Sequence, residues 1–235
     1  MDASDVAPTR LQKAQAELSA LINRFQADRV GLIVFSSEAY VQCPLTYDQN
    51  ALHLFINTLQ TNLITAGSTN LAAPLELALT RLRATSQAVG APPRAAVLVL
   101  ITDGEDFGEN LEPTVRVLTR SGARLFTMGV GTVEGIRLLR ANGRALRDSR
   151  GREVVSRLTP TPLRRLAAQT GGQYFELTDR RNEFPSLVNA LNRVEGQAEQ
   201  VRTVSVADNR YRYPLALALA LLALDVLLTI RVIRP

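Results

Sequence analysis

The stretch Val97-Leu-Val-Leu-Ile-Thr-Asp-Gly-Glu-Asp106 decides the fold class. Five apolar residues, Val97 to Ile101, run straight into Thr102, Asp103 and Gly104. A short apolar run closed by turn residues reads as a buried strand of a parallel sheet. It delivers the Asp103 carboxylate at the strand's carboxyl end, where open α/β sheets place their ligands. Gly104 lets the backbone turn sharply beside it.

Working outward, strands and helices alternate. Leu11, Ala14, Leu18, Leu21, Ile22 and Phe25 share one helical face, with Thr9 or Asp5 as the cap. Residues 29–36 (RVGLIVFS) read as a strand, and Ser37-Glu38 turns it into an antiparallel edge partner, residues 39–43. A short helix is expected over 49–59. The small polar loop Ala66-Gly67-Ser68-Thr69-Asn70 precedes a helix that turns Leu71, Leu75, Ala78, Leu79 and Leu82 inward. Residues 89–94 read as a connector and 105–110 as an acidic loop. Beyond it come a helix over 111–120 stopped by Ser121-Gly122, a strand over 123–130, a helix over 161–170 and a strand over 173–177. Phe184, Leu187, Val188, Leu191 and Val194 mark a last amphipathic helix. Such alternation means an α/β fold with a mainly parallel sheet flanked by helices. Between the strand at 123–130 and the helix at 161, residues 132–158 read as a hairpin insertion with turns at Asn142-Gly143 and Ser149-Arg150-Gly151.

Composition narrows the function classes. The chain has 235 residues, is 46% hydrophobic, lacks Trp and carries a net charge of +5. Lys13 is the only lysine, so the positive charge is almost all arginine. Arg137, Arg140, Arg144, Arg147, Arg150, Arg152 and Arg157 crowd the insertion. They read first as a solvated face, and more sharply as a surface for an acidic partner or lipid headgroups. No aromatic interleaving or nucleic-acid motif accompanies them, so no nucleic acid is expected as a partner. Cys43 and His53 are the only residues of their kinds, which leaves no internal disulfide and no zinc spacing. A hydrolase triad would have to use His53, in the middle of a helix. There is no Gly-x-x-x-x-Gly-Lys loop either, so a Mg²⁺-dependent hydrolase is the weakest of three functional readings.

The end of the chain is different. Pro214 to Ile230 reads PLALALALLALDVLLTI, with Tyr211 and Tyr213 at one edge and Arg231 and Arg234 at the other. Apolar on every side and bordered by aromatics, residues 214–233 are expected to be a transmembrane helix, with 195–213 as its stalk. Asp225 inside it carries an insertion cost of about 2.5–3.5 kcal/mol if central. Residues 1–8 are polar and hold no signal sequence.

Thr69 and Asp103 are the candidate metal ligands, a hydroxyl and a carboxylate from neighbouring loops. A hard cation such as Mg²⁺ takes about six oxygens, so these two need further ligands or waters. Glu105 and Asp106 could add charge. In this order and spacing the pieces resemble a von Willebrand factor A (VWA) domain. Residues 29–36 resemble its second strand. Gly67-Ser68-Thr69 resembles the loop that gives a Thr to the metal-ion-dependent adhesion site (MIDAS), and Leu98–Gly104 resembles its fourth strand with the site's Asp. More narrowly the chain resembles the bacterial membrane-anchored Bat (aerotolerance) group. The resemblance rests on Asp5-Val6-Ala7-Pro8-Thr9-Arg10-Leu11, on the turn at Asn142-Gly143-Arg144, on Gly151-Arg152 with Val155-Ser156-Arg157-Leu158, and on an acidic residue in a C-terminal span followed by Arg.

The resemblance implies a Rossmann-like VWA fold over residues 1–194. It implies a non-enzymatic partner-binding module with Mg²⁺ or another divalent cation in the intact site. The implied partners are other Bat-type VWA membrane proteins, a MoxR-type AAA+ ATPase and the membrane lipid. The family site also uses Asp-x-Ser-x-Ser at the end of the first strand, directly before a Met. Met1 takes that place, and Asp2-Ala3-Ser4 fails as a substitute because Val6 stands where the second Ser belongs. A chain truncated at its N-terminus is therefore expected, lacking the central first strand of a sheet ordered 3-2-1-4-5-6. A metal-independent VWA scaffold with a degenerate site is the alternative reading. An inner-membrane location with a single C-terminal span is expected. The domain would be periplasmic if upstream helices exist, and cytoplasmic if Met1 is the true start.

Overall fold

The computed structural model describes residues 1–61, 69–89, 96–105, 111–138, 143–147 and 150–201. Thirteen elements follow in order: α1 (Arg10–Ile22), β1 (Val30–Phe35), β2 (Ala39–Thr46), α2 (Gln49–Asn57), α3 (Ala72–Val89), β3 (Val97–Thr102), α4 (Glu112–Ser121), β4 (Arg124–Val130), β5 (Ile136–Arg137), β6 (Val155–Ser156), α5 (Pro160–Gln169), β7 (Tyr174–Leu177) and α6 (Phe184–Val201). The sequence-based boundaries shift by one or two residues at most ends, and β2 runs three residues further than expected.

Local chemistry explains the ends. Thr9, rather than Asp5, caps α1 by accepting from the Gln12 amide at 3.2 Å. Asp48 caps α2 through the Ala51 amide. Helix α4 opens with Pro113 in its first turn and closes on Gly122 in the left-handed region.

The central sheet is parallel, in the order β3-β4-β7. Strands β1 and β2 form a separate antiparallel hairpin. Among the described residues β1 pairs only with β2, and β3 only with β4. Side chains alternate across the sheet as the pleat requires. Leu100 and Leu125 join Leu71, Leu75, Leu118 and Leu163 on one face, under α3, α4 and α5. Phe126, Met128 and Val130 join Phe175, Leu177 and Leu187 on the other, under α6. A third cluster of Ile22, Cys43, Leu52 and Ile56 joins α1 and α2 to the hairpin.

Within the expected insertion at 132–158, the described residues hold short antiparallel pairings, while the turn residues Asn142 and Ser149 lie outside them. Ile136 pairs with Ser156 and Arg137 with Val155, and an isolated bridge joins Arg147 to Glu153. The expected transmembrane helix at 214–233 and most of its stalk lie outside the described residues. Among the described residues no helix is long and apolar enough to cross a membrane.

Candidate functional site

The carboxyl ends of β1, β3 and β4 carry the residues of interest. At the end of β3 the backbone is fixed on both sides of Asp103. The Gly104 amide donates to Thr102 Oγ1 at 3.2 Å, and the Asp103 carbonyl accepts from the Thr159 amide at 2.9 Å. Gly104 has φ +75°, and a Cβ there would lie 2.3 Å from the Thr159 carbonyl oxygen. The turn that presents Asp103 therefore requires glycine. Thr69 is half-buried just before α3. Its neighbour Asn70 donates its amide to the Ser36 carbonyl at 2.9 Å, which pins the loop to the end of β1. No hydrogen bond joins Thr69 to Asp103 among the described residues, and Gly67, Ser68 and Asp106 lie outside them. Glu105 turns away, accepting from the Arg157 amide at 3.0 Å.

The sequence presents Asp103 as a carboxylate open to a cation, and the structure gives it one already. Arg10, wholly buried, donates from Nη1 to Asp103 Oδ2 at 3.3 Å. The Met1 amino group lies 3.7 Å from the same oxygen. Arg10 also grips Asp5 through two parallel bonds, Nε to Oδ1 at 2.7 Å and Nη2 to Oδ2 at 2.8 Å. This is the fork-to-fork geometry that makes arginine a strong carboxylate partner. Its remaining donors reach Ser156 Oγ at 2.8 Å and the Ser156 carbonyl at 3.2 Å. Asp5 Oδ2 in turn accepts from the amide and the hydroxyl of Thr132, at 2.7 and 2.9 Å. Burial pushes the Asp5 carboxyl up, but the bonds from Arg10 and Thr132 together outweigh it and hold the group below its ordinary pKa.

Sequence reasoning singled out Asp103 and Thr69 and missed Arg10, Asp5, Thr132 and Ser156 as site residues. Asp5 and Arg10 stand five residues apart in the quoted N-terminal motif, and that spacing was the available signal. One arginine in a chain so rich in them gives no sign of burial.

Tested as a metal centre, the described residues fall short. Thr69 and Asp103 offer two of about six oxygens a hard cation takes. A guanidinium already faces the one carboxylate. Among the described residues no cluster of three or more His, Cys, Asp or Glu side chains forms. His53 Nε2 lies 2.9 Å from Asn23 Oδ1, which joins α2 to the end of α1 rather than to Asp103. Burial pushes the Cys43 thiol up, and it packs in the third core cluster. No nucleophile–base pair results from either.

Comparison with known proteins fits this architecture. The family model for the von Willebrand factor type A domain matches residues 1–105. BatB of Bacteroides thetaiotaomicron is similar at 23% identity over 83% of this chain and 93% of its own, with a TM-score of 0.71. An aerotolerance-related membrane protein of Bacteroides fragilis NCTC 9343, solved with multiple mutations to serines, is 27% identical over 82% of this chain and 93% of its own, with a TM-score of 0.72. The manganese-loaded TRAP protein of Plasmodium vivax shares the fold at 14% identity and a TM-score of 0.56, over 82% of this chain and 69% of its own. No curated protein sequence matches. The matched segment holds α1, the β1–β2 hairpin and the Asp103 strand end, and the likeness to the solved relatives extends over 82% of the chain. Residues 1–105 match the von Willebrand factor type A domain, and the chain is similar in fold to the Bat-type proteins that carry it.

Proposed function

We propose that this protein is a membrane-anchored, non-enzymatic interaction module that receives its partner on the carboxyl-end face of the sheet, around Asp103. The observation that carries the reading is the state of Asp103: a carboxylate held at the strand end and already bonded by a buried guanidinium. Such a group suits recognition. Among the described residues it has no adjacent nucleophile to activate and no poised base beside it. The family-type reading, with Mg²⁺ held by Thr69 and Asp103, requires ligands beyond the described residues. The Arg10 contact favours partner binding without a divalent ion, as in the metal-independent scaffold. The partners proposed from the family resemblance are other Bat-type VWA proteins and a MoxR-type AAA+ ATPase. Residues 214–233 are the proposed anchor.

The test is capture of a co-expressed Bat-type protein or MoxR-type ATPase by the full chain in detergent, in Mg²⁺ and in EDTA. Capture that survives EDTA and is lost in Asp103→Arg supports the reading. Capture that requires Mg²⁺ returns the site to the family type. Capture of neither partner under either condition removes both partner choices.

A further inference from the structure

We propose that Arg10 is the resident cation of the site: a positioning residue that holds the Asp103 carboxylate where a divalent ion would otherwise bind, and locks the 132–156 arm to the same point. A guanidinium has five N–H donors and no acceptor. Here all five are used. Nε and one Nη2 hydrogen take Asp5, the other Nη2 hydrogen takes the Ser156 carbonyl, and the Nη1 pair takes Ser156 Oγ and Asp103 Oδ2. A wholly buried charge persists only when paired and fully hydrogen-bonded, and this one is.

The backbone is shaped for it. Gly131, just past β4, has φ +122°, and a Cβ there would stand 2.5 Å from Arg10 Nε. Three segments bond this one side chain, the Asp5 turn, the end of β3 and β6, and Thr132 behind β4 joins them through Asp5. The bonds are unequal, and the inequality is informative. Asp5 and Ser156 Oγ are held at 2.7–2.8 Å, while the Asp103 bond is 3.3 Å, the longest of the set. Arg10 is therefore anchored by the arm and the Asp5 turn, and it offers its remaining positive edge to Asp103. A dication approaching Asp103 meets a fixed like charge that is not free to swing away.

The inference deepens the metal-independent reading above and is separable from it. That reading turns on partner capture by the wild-type chain, this one on cation affinity in Arg10 variants. The probe is Mn²⁺ alone, followed by the electron paramagnetic resonance signal of the free ion, on the full chain in detergent. Arg10→Gln is expected to bind Mn²⁺ at least about tenfold more tightly than wild type, and the gain is expected to vanish in Arg10→Gln/Asp103→Asn. Arg10→Lys keeps the charge without the fork. It is expected to melt lower than wild type, yet stay within about threefold of wild-type Mn²⁺ affinity. A purely structural role for Arg10 would move Lys and Gln together. Equal Mn²⁺ affinity in folded wild type and Arg10→Gln overturns the proposal, as does an equal gain in Arg10→Lys. Should Arg10→Gln not fold, adding Asp5→Asn is expected to restore part of the folded population by removing the orphaned charge. No restoration overturns the proposal as well.

Discussion

Strands β3 and β4 lie side by side, paired at six positions, and both are largely apolar, yet they are buried very differently. Every residue of β4 from Leu125 to Val130 is buried. In β3 only Leu100 and Thr102 are, while Val97, Leu98, Val99 and Ile101 stay half-buried. Strand β1, with the equally apolar VGLIVF, has no buried residue at all. The difference is in the neighbours. β4 has a strand on each side, whereas β1 and β3 each have one among the described residues. An apolar run makes a strand, but burial on both faces of a parallel sheet also needs both edges occupied.

The largest expected effect tests this at one rung of the ladder. Leu98 and Leu125 are register partners and pack in the same cluster. Leu125→Ala empties a fully buried site and is expected to cost about 2–5 kcal/mol. Leu98→Ala removes a half-buried side chain and is expected to cost less than half as much. Urea denaturation of the two variants measures both. Equal losses would break the comparison and show that β3 is as enclosed as its partner.

The next effect lies at the end of β4, where the buried strand hands over to the arm. Gly131→Ala places a Cβ against the Arg10 guanidinium at a left-handed φ. Backbone strain of this kind costs about 1–3 kcal/mol. A lowered melting temperature is expected, with a smaller loss when Gly143 is changed instead, since that glycine shares the positive φ but has open space where Gly131 meets Arg10. Hydrogen exchange then sharpens the contrast along whole strands. Amides of β4 are expected to exchange only through global unfolding, and those of β1 through smaller openings with lower protection. Uniform protection across both strands would mean that one-sided pairing leaves β1 no weaker.

The same contrast explains what the sequence made legible. The strand ending at Asp103, the alternation around it and the antiparallel pairing within the insertion all follow from local signals: apolar runs, turn glycines and helix caps. Even Asp103's place at a carboxyl strand end was readable. Its company was not. The Asp103–Arg10 bond joins residues 93 positions apart, and the Arg10–Ser156 bond spans 146. Arginine ordinarily belongs to the surface. Only the tertiary arrangement of Asp5, Thr132 and Gly131 makes a buried one tolerable. Asp5 suits a helix cap by residue type, but α1 begins at Arg10, so Thr9 holds the cap position and the Asp5 carboxylate accepts from Arg10 instead.

The smallest effect concerns acid, and it acts at the boundary of the well-buried half. The Asp5 carboxyl is held below its ordinary 3.8, so its folded-state pKa lies under its unfolded one. The sign follows from linkage. A depressed carboxylate contributes stability above the unfolded value, and that contribution is lost as pH falls through the folded value. Stability from this group should be fully present near neutrality and decline only below about pH 4. The Thr132 amide, bound to Asp5 Oδ2, is the natural reporter. Its NMR shift is expected to titrate with a midpoint below 3.8, ahead of any change at Leu125 deep in β4. A midpoint at or above that value would mean that the guanidinium does not outweigh burial at Asp5. The arm would then be fastened to the end of β4 by packing alone, and the contrast between the two halves would owe nothing to charge.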